Sequence, residues 1–228
     1  MKQKKYGSRK LLVSSLTKKY IMAAAGIFLM LFLIMHLATN LLMLVGDDGK
    51  AFDEAVKFLT QNPLIKIMEY VLFAGFIIHI LIGVILEVYN YRSRPVKYKE
   101  PLRSEASPFS KYMIHSGIII LIFLVLHLWH FFFIRLGIVA IPEFAAHEKD
   151  FFNMAIYTFT NPLYSAIYLV SFVFLAFHLK HAFQSAFQTF GLFHNKYNSA
   201  IKIIATIYAL VIAIGFSIIP VYFLFFFE

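Results

Sequence analysis

Five long apolar runs constrain this chain more than any other feature. They fall at about residues 20–45, 64–90, 112–137, 162–190 and 199–227. Each exceeds the roughly 18 apolar residues that mark a membrane-crossing helix. The connections between them are tight, so they make one bundle rather than separate domains. The predicted fold is all-α: an integral membrane bundle of five transmembrane helices over 20–228, preceded by a basic segment at 1–19. With 61% of residues hydrophobic, 27 Phe and only 14% charged, the chain is too apolar for a soluble domain.

The net charge of +9 is no nucleic-acid signal, because it gathers on one side of the membrane. Lys2, Lys4, Lys5, Arg9, Lys10, Lys18 and Lys19 precede the first run. Arg92, Arg94, Lys97, Lys99, Arg103 and Lys111 fill the second loop, which also carries Pro95, Pro101 and Pro108. The first and third loops are acidic, with Asp47, Asp48, Asp53 and Glu54, then Glu143, Glu148 and Asp150. The positive-inside rule puts the N-terminus in the cytoplasm and the C-terminus outside. A cleavable signal is disfavoured, since the first run is too long and contains His36. The sequence holds no cysteine, which excludes thiolate iron–sulfur ligation, a c-type haem linkage and disulfides. Any redox cofactor must therefore be held by histidine.

The first two runs resemble the third and fourth. Lys19-Tyr20-Ile21-Met22 is echoed by Lys111-Tyr112-Met113-Ile114. Gly26 and Gly117 each precede a histidine, His36 and His127, by ten residues, and Gly46 and Gly137 each follow it by ten. The second and fourth runs open Asn62-Pro63-Leu64 and Asn161-Pro162-Leu163, with His79 and His178 each 17 residues after the Asn. Pro at a helix start with Asn as its cap suits both. Before each of these, Phe52, Ala55, Val56 and Leu59 are echoed by Phe152, Ala155, Ile156 and Phe159, the pattern of a short surface helix. The fifth run has no histidine and reads as a strut that closes the bundle.

Ionisable side chains are costly in a bilayer and mark functional candidates. His36 and His127 lie 17 and 16 residues beyond Lys19 and Lys111, about 24–26 Å up from the inner face. His79 and His178 run the other way, so they fall in the inner half of a core about 30 Å thick. Two levels with two histidines each suit two bis-histidine b haems, which transfer electrons rather than bind oxygen. The bland reading of a lone membrane histidine is a bond to a backbone carbonyl or a place in a proton relay. Matched depths favour His36, His79, His127 and His178 as axial ligands of haem iron. His130 and His181, three residues past a ligand, read as groups around it. His115 is interfacial, while His147 and His194 lie in loops and are given no role. A zinc or copper site is disfavoured, since no acidic or cysteine cluster accompanies the histidines.

The stretches KKYIMAAAGIFL…HLATNL, the His79 helix ending NYRSRPVKY, SGIIILIFLVLHL and NPL…FHLKHAFQSAFQTFG resemble a known family. It is the five-helix di-haem cytochrome b membrane anchor of succinate dehydrogenase and fumarate reductase (complex II), above all its Bacteroidetes and actinobacterial members. The resemblance spans most of residues 14–191. It implies His36 paired with His127 and His79 with His178, as the depths give independently. It further implies a bacterial inner membrane and a flavoprotein (FAD) with an iron–sulfur subunit on the cytoplasmic face. The quinone it implies is of the menaquinone type. In some fumarate reductases of the family a glutamate two residues before the fourth ligand serves a proton route. Here that position is Ala176, which does not support the route.

The expected function is electron transfer between that soluble module and membrane quinone, with no dicarboxylate chemistry in this chain and no catalytic residue of its own. Thr39, Asn40, Asn62, Lys66, Glu69 and His130 are candidates for quinone contact, against capping and interface anchoring as the plain reading. The rival expectations are an anchor of another quinone-linked enzyme, of hydrogenase or formate dehydrogenase type, and a haem-free transporter with a histidine relay.

Overall fold

A computed structural model describes residues 14–92, 113–141, 145, 147, 149–192, 194 and 196–227. Most of the basic N-terminal segment, the loop charges from Arg94 to Lys111, and Glu143 and Glu148 lie outside the described residues. Among those described, all regular structure is helical: α1 (Ser15–Leu41), α2 (Lys50–Gln61), α3 (Pro63–Arg92), α4 (from Met113), α5 (Phe151–Thr160), α6 (Pro162–Thr189) and α7 (Asn198–Phe225). Helices α1, α3, α4, α6 and α7 are long and apolar enough to cross a membrane. The chain is a multi-pass membrane protein, and α2 and α5 are the two short helices expected between spans.

The internal repeat is visible in backbone detail. The Asn62 side chain accepts from Leu64 N at 2.9 Å and Ile65 N at 3.4 Å. Asn161 accepts from Leu163 N at 2.9 Å and Tyr164 N at 3.3 Å. Each cap satisfies donors that a helix N-terminus leaves without an intrahelical partner, and Pro fills the first helical position of both. Gly46 and Gly137 both sit at positive φ, 79° and 70°, where a chain leaving a helix favours glycine. On the face carrying α2 and α5, Phe52 and Phe152 are both buried. The two helices meet at Gly49 (φ 81°), where a Cβ would come within 2.5 Å of the Phe152 ring.

The halves differ where α4 departs from a uniform helix. After an α segment at Met113–His127 it makes a π turn at Leu128–Phe132, then a last α turn at Phe133–Arg135. The sequence pattern, read at a single helical period, does not show this. A π turn accommodates one extra residue and is found often at functional sites; this one begins directly after His127.

Packing follows the size of the side chains. Helix α3 lies against α1, with Gly75 facing Phe28 and Gly83 facing Met22. Small residues at a helix contact let backbones approach where lipid offers no hydrophobic drive. Helix α4 lies against α6, and α6 also contacts α1. The fifth span fills the remaining side, against α6 and α1, as its strut reading expects. There Ala205, Ala209 and Ala213 are buried, and Gly215 lies against Leu37. The Tyr208 hydroxyl donates to the Met30 carbonyl at 2.8 Å, tying α7 to α1. The core therefore runs through α1, α6 and α7, with Met30, Leu37, Phe172, Leu175, Ile212 and Phe216 at its centre. Among the described side chains of α3 none is fully buried.

Candidate paired-histidine site

The four candidate ligands come together in the expected pairs. His36 of α1 and His127 of α4 have ring centres 5.8 Å apart. His79 of α3 and His178 of α6 are 6.3 Å apart. Neighbouring helices pack as α1 with α3, α4 with α6 and α1 with α6, so each pair spans a diagonal of the four-helix unit.

Two levels follow from the glycines. A Cβ on Gly26 would touch only the His79 ring, at 3.7 Å, and one on Gly117 only the His178 ring, at 3.7 Å. His79 thus lies level with Gly26, and His178 level with Gly117. Each glycine precedes His36 or His127 by ten residues on the same helix, a rise of about 15 Å. Both repeats give the same separation. The His36–His127 pair lies toward the α2/α5 face and the His79–His178 pair toward the opposite one.

The surroundings of the two pairs differ. His36 stacks on Phe32 at 5.2 Å and contacts Phe216 at 5.6 Å. His127 has Phe123, Phe131 and Tyr168 around it. Asn40 donates to the His36 carbonyl at 2.6 Å, and its amide nitrogen lies 3.4 Å from His36 Nδ1. At the other level, His178 Nδ1 lies 3.2 Å from the Ser116 hydroxyl. Nδ1 of His79 and Nδ1 of His127 are buried with no hydrogen-bond partner among the described residues.

These residues fit a metal held between two imidazoles. Two metal–nitrogen bonds of about 2 Å, each extended by roughly 1 Å to its ring centre, put the centres about 6 Å apart. Both observed spacings match that. At the His79–His178 level, Gly26 and Gly117 add no side chain beside the rings. This is a surface along which a flat macrocycle can lie.

Of the further histidines, His130 sits within the π turn, its Nδ1 3.1 Å from the Tyr168 hydroxyl and its ring stacked on Tyr168. His181 is one turn past His178 on α6, partly buried. His147 and His194 accept from the backbone N–H of Lys149 and Lys196, local turn contacts. His115 is exposed near the start of α4. Among the quinone candidates, Thr39 donates to the Met35 carbonyl and Asn62 caps α3. Glu69 pairs with Arg135 across α3 and α4, and Lys66 is exposed one turn before it. Sequence reasoning missed Ser116, Tyr168 and Arg135. Only Arg135 carried a signal, as a charge near the end of an apolar run.

Fold and site define a class: a five-span helical membrane protein with two imidazole pairs stacked through its four-helix unit. Comparison with family models, curated proteins and solved structures found no match to this chain.

Proposed function

We propose that this chain is the di-haem cytochrome b anchor of a succinate:quinone oxidoreductase, set in a bacterial inner membrane with its N-terminus in the cytoplasm. The observation that carries this reading is the pair of diagonal histidine contacts at two levels, repeated in register by two halves of the chain. His36 and His127 would hold one b haem, His79 and His178 the other. When bound, such haems would supply one-electron transfer. The protein's own part is to fix the imidazoles across the diagonals. It also surrounds the His36–His127 pair with Phe32, Phe123, Phe131 and Phe216, which exclude water there. A flavoprotein and an iron–sulfur subunit dock on the face opposite α2 and α5, the side to which the positive-inside rule assigns the basic stretches of the sequence. Menaquinone is the membrane substrate.

The reading is tested by purifying the chain from its native membrane under mild detergent. The expected result is co-purification of a flavoprotein and an iron–sulfur subunit, in a complex that reduces quinone with succinate. A hydrogenase or formate dehydrogenase module in their place overturns the succinate assignment and leaves the cytochrome reading standing.

A further inference from the structure

A histidine binds metal through a nitrogen lone pair, and the partner of its other nitrogen decides which tautomer is present. At His178 that partner is defined. The Ser116 hydroxyl donates its single hydrogen to the Met113 carbonyl at 2.9 Å. Toward His178 Nδ1, 3.2 Å away, its oxygen is then an acceptor. In that arrangement the bond requires the proton on Nδ1, which leaves Nε2 its lone pair. Ser116 is itself buried, so water does not compete for the contact.

The repeat supplies an internal control. Gly117 faces His178 as Gly26 faces His79, yet the residue before Gly26 is Ala25 where the second half has Ser116. The first half accordingly has no hydroxyl to offer, and Nδ1 of His79 is buried without a partner among the described residues. Among the described residues, Nδ1 of one histidine of this pair has a hydrogen-bond partner and Nδ1 of the other has none.

We propose that Ser116 is a positioning residue for the His79–His178 site, holding His178 in its metal-binding tautomer and raising its basicity through the Nδ1–H···Oγ bond. This rests on the haem reading above. A more basic ligand favours the ferric over the ferrous state, and loss of such an outer partner typically costs 10–100-fold in metal affinity. Ala25 marks the position where a second such bond can be built.

The test is a spectroscopic redox titration of the purified full-length chain, with the two haem transitions assigned by His79→Ala and His127→Ala. Ser116→Ala should weaken binding of the His79–His178 haem about tenfold and raise its midpoint potential. Each tenfold lost preferentially from the ferric form is about 59 mV for one electron. Ser116→Thr, which keeps the hydroxyl, should retain the wild-type potential. Ala25→Ser should lower the potential of the same haem, and the other haem should not move in any variant. The proposal is overturned if Ser116→Ala and Ala25→Ser leave that potential unchanged with both haems bound, or if both transitions shift together. Should Ser116→Ala fail to fold, Ala25→Ser and Ser116→Thr decide by the same readout. A wild-type chain with no b-type spectrum overturns the haem reading itself, a result distinct from two bound haems insensitive to Ser116.

Discussion

Asp53, exposed on α2, shows what a single charge does on the α2/α5 face. Partial burial and the charges of Asp150 and Asp47 raise its carboxyl above the ordinary 3.8, and His147 opposes them. A raised folded-state value means that folding is favoured while the group is protonated, and that this contribution fades as pH rises through the folded value. Asp53→Asn should therefore raise the thermal midpoint at about pH 7 and leave it unchanged at about pH 3, where both states are protonated. A midpoint that does not move at neutral pH contradicts this. The four paired histidines were legible in the sequence because ionisable groups are rare in apolar runs. Ser116 and Tyr168 were not. A serine or tyrosine costs little in a membrane helix, and their partners, His178 and His130, lie 62 and 38 residues away in sequence.

Helices are held here by a few close contacts that substitution can probe. Gly215 of α7 leaves 2.7 Å between an ideal Cβ and Leu37 Cδ2. Leu37 is buried and adjoins His36. Gly215→Ala should force α7 away from α1 and cost about 1–3 kcal/mol, read as a lower thermal midpoint in detergent; an unchanged midpoint would show that Leu37 swings aside freely. Between α3 and α4, which touch sparsely, the Glu69–Arg135 ion pair and the Phe73–Phe132 contact bridge the gap. Removing one partner leaves a partly buried charge uncompensated. Glu69→Gln and Arg135→Gln should each destabilise, and the double variant should lose less than their sum, with a coupling of roughly 0.5–3 kcal/mol. Strict additivity would show that the pair holds nothing together. Spans, caps and surface helices were readable because period, Asn-Pro and apolar spacing encode them locally. The π turn was not, since its cause lies in how α4 seats against its neighbours.

For the whole molecule, the organising fact is that one two-helix pattern occurs twice, and its copies pair across diagonals. Rise per residue placed the histidines at two depths from sequence alone, and the glycine contacts recover the same two levels from structure. The packing order of the spans, and the burial of α1, α6 and α7 beside an exposed α3, depend on side-chain fit and were not legible. The most direct test of the account is haem content in the purified wild type and in His36→Ala, His79→Ala, His127→Ala and His178→Ala, with each transition resolved by potential. The account predicts two low-spin b haems per chain, one lost in both the His36 and His127 variants and the other in both the His79 and His178 variants. Retention of both haems in any of the four, or a loss that links His36 to His178, would contradict it.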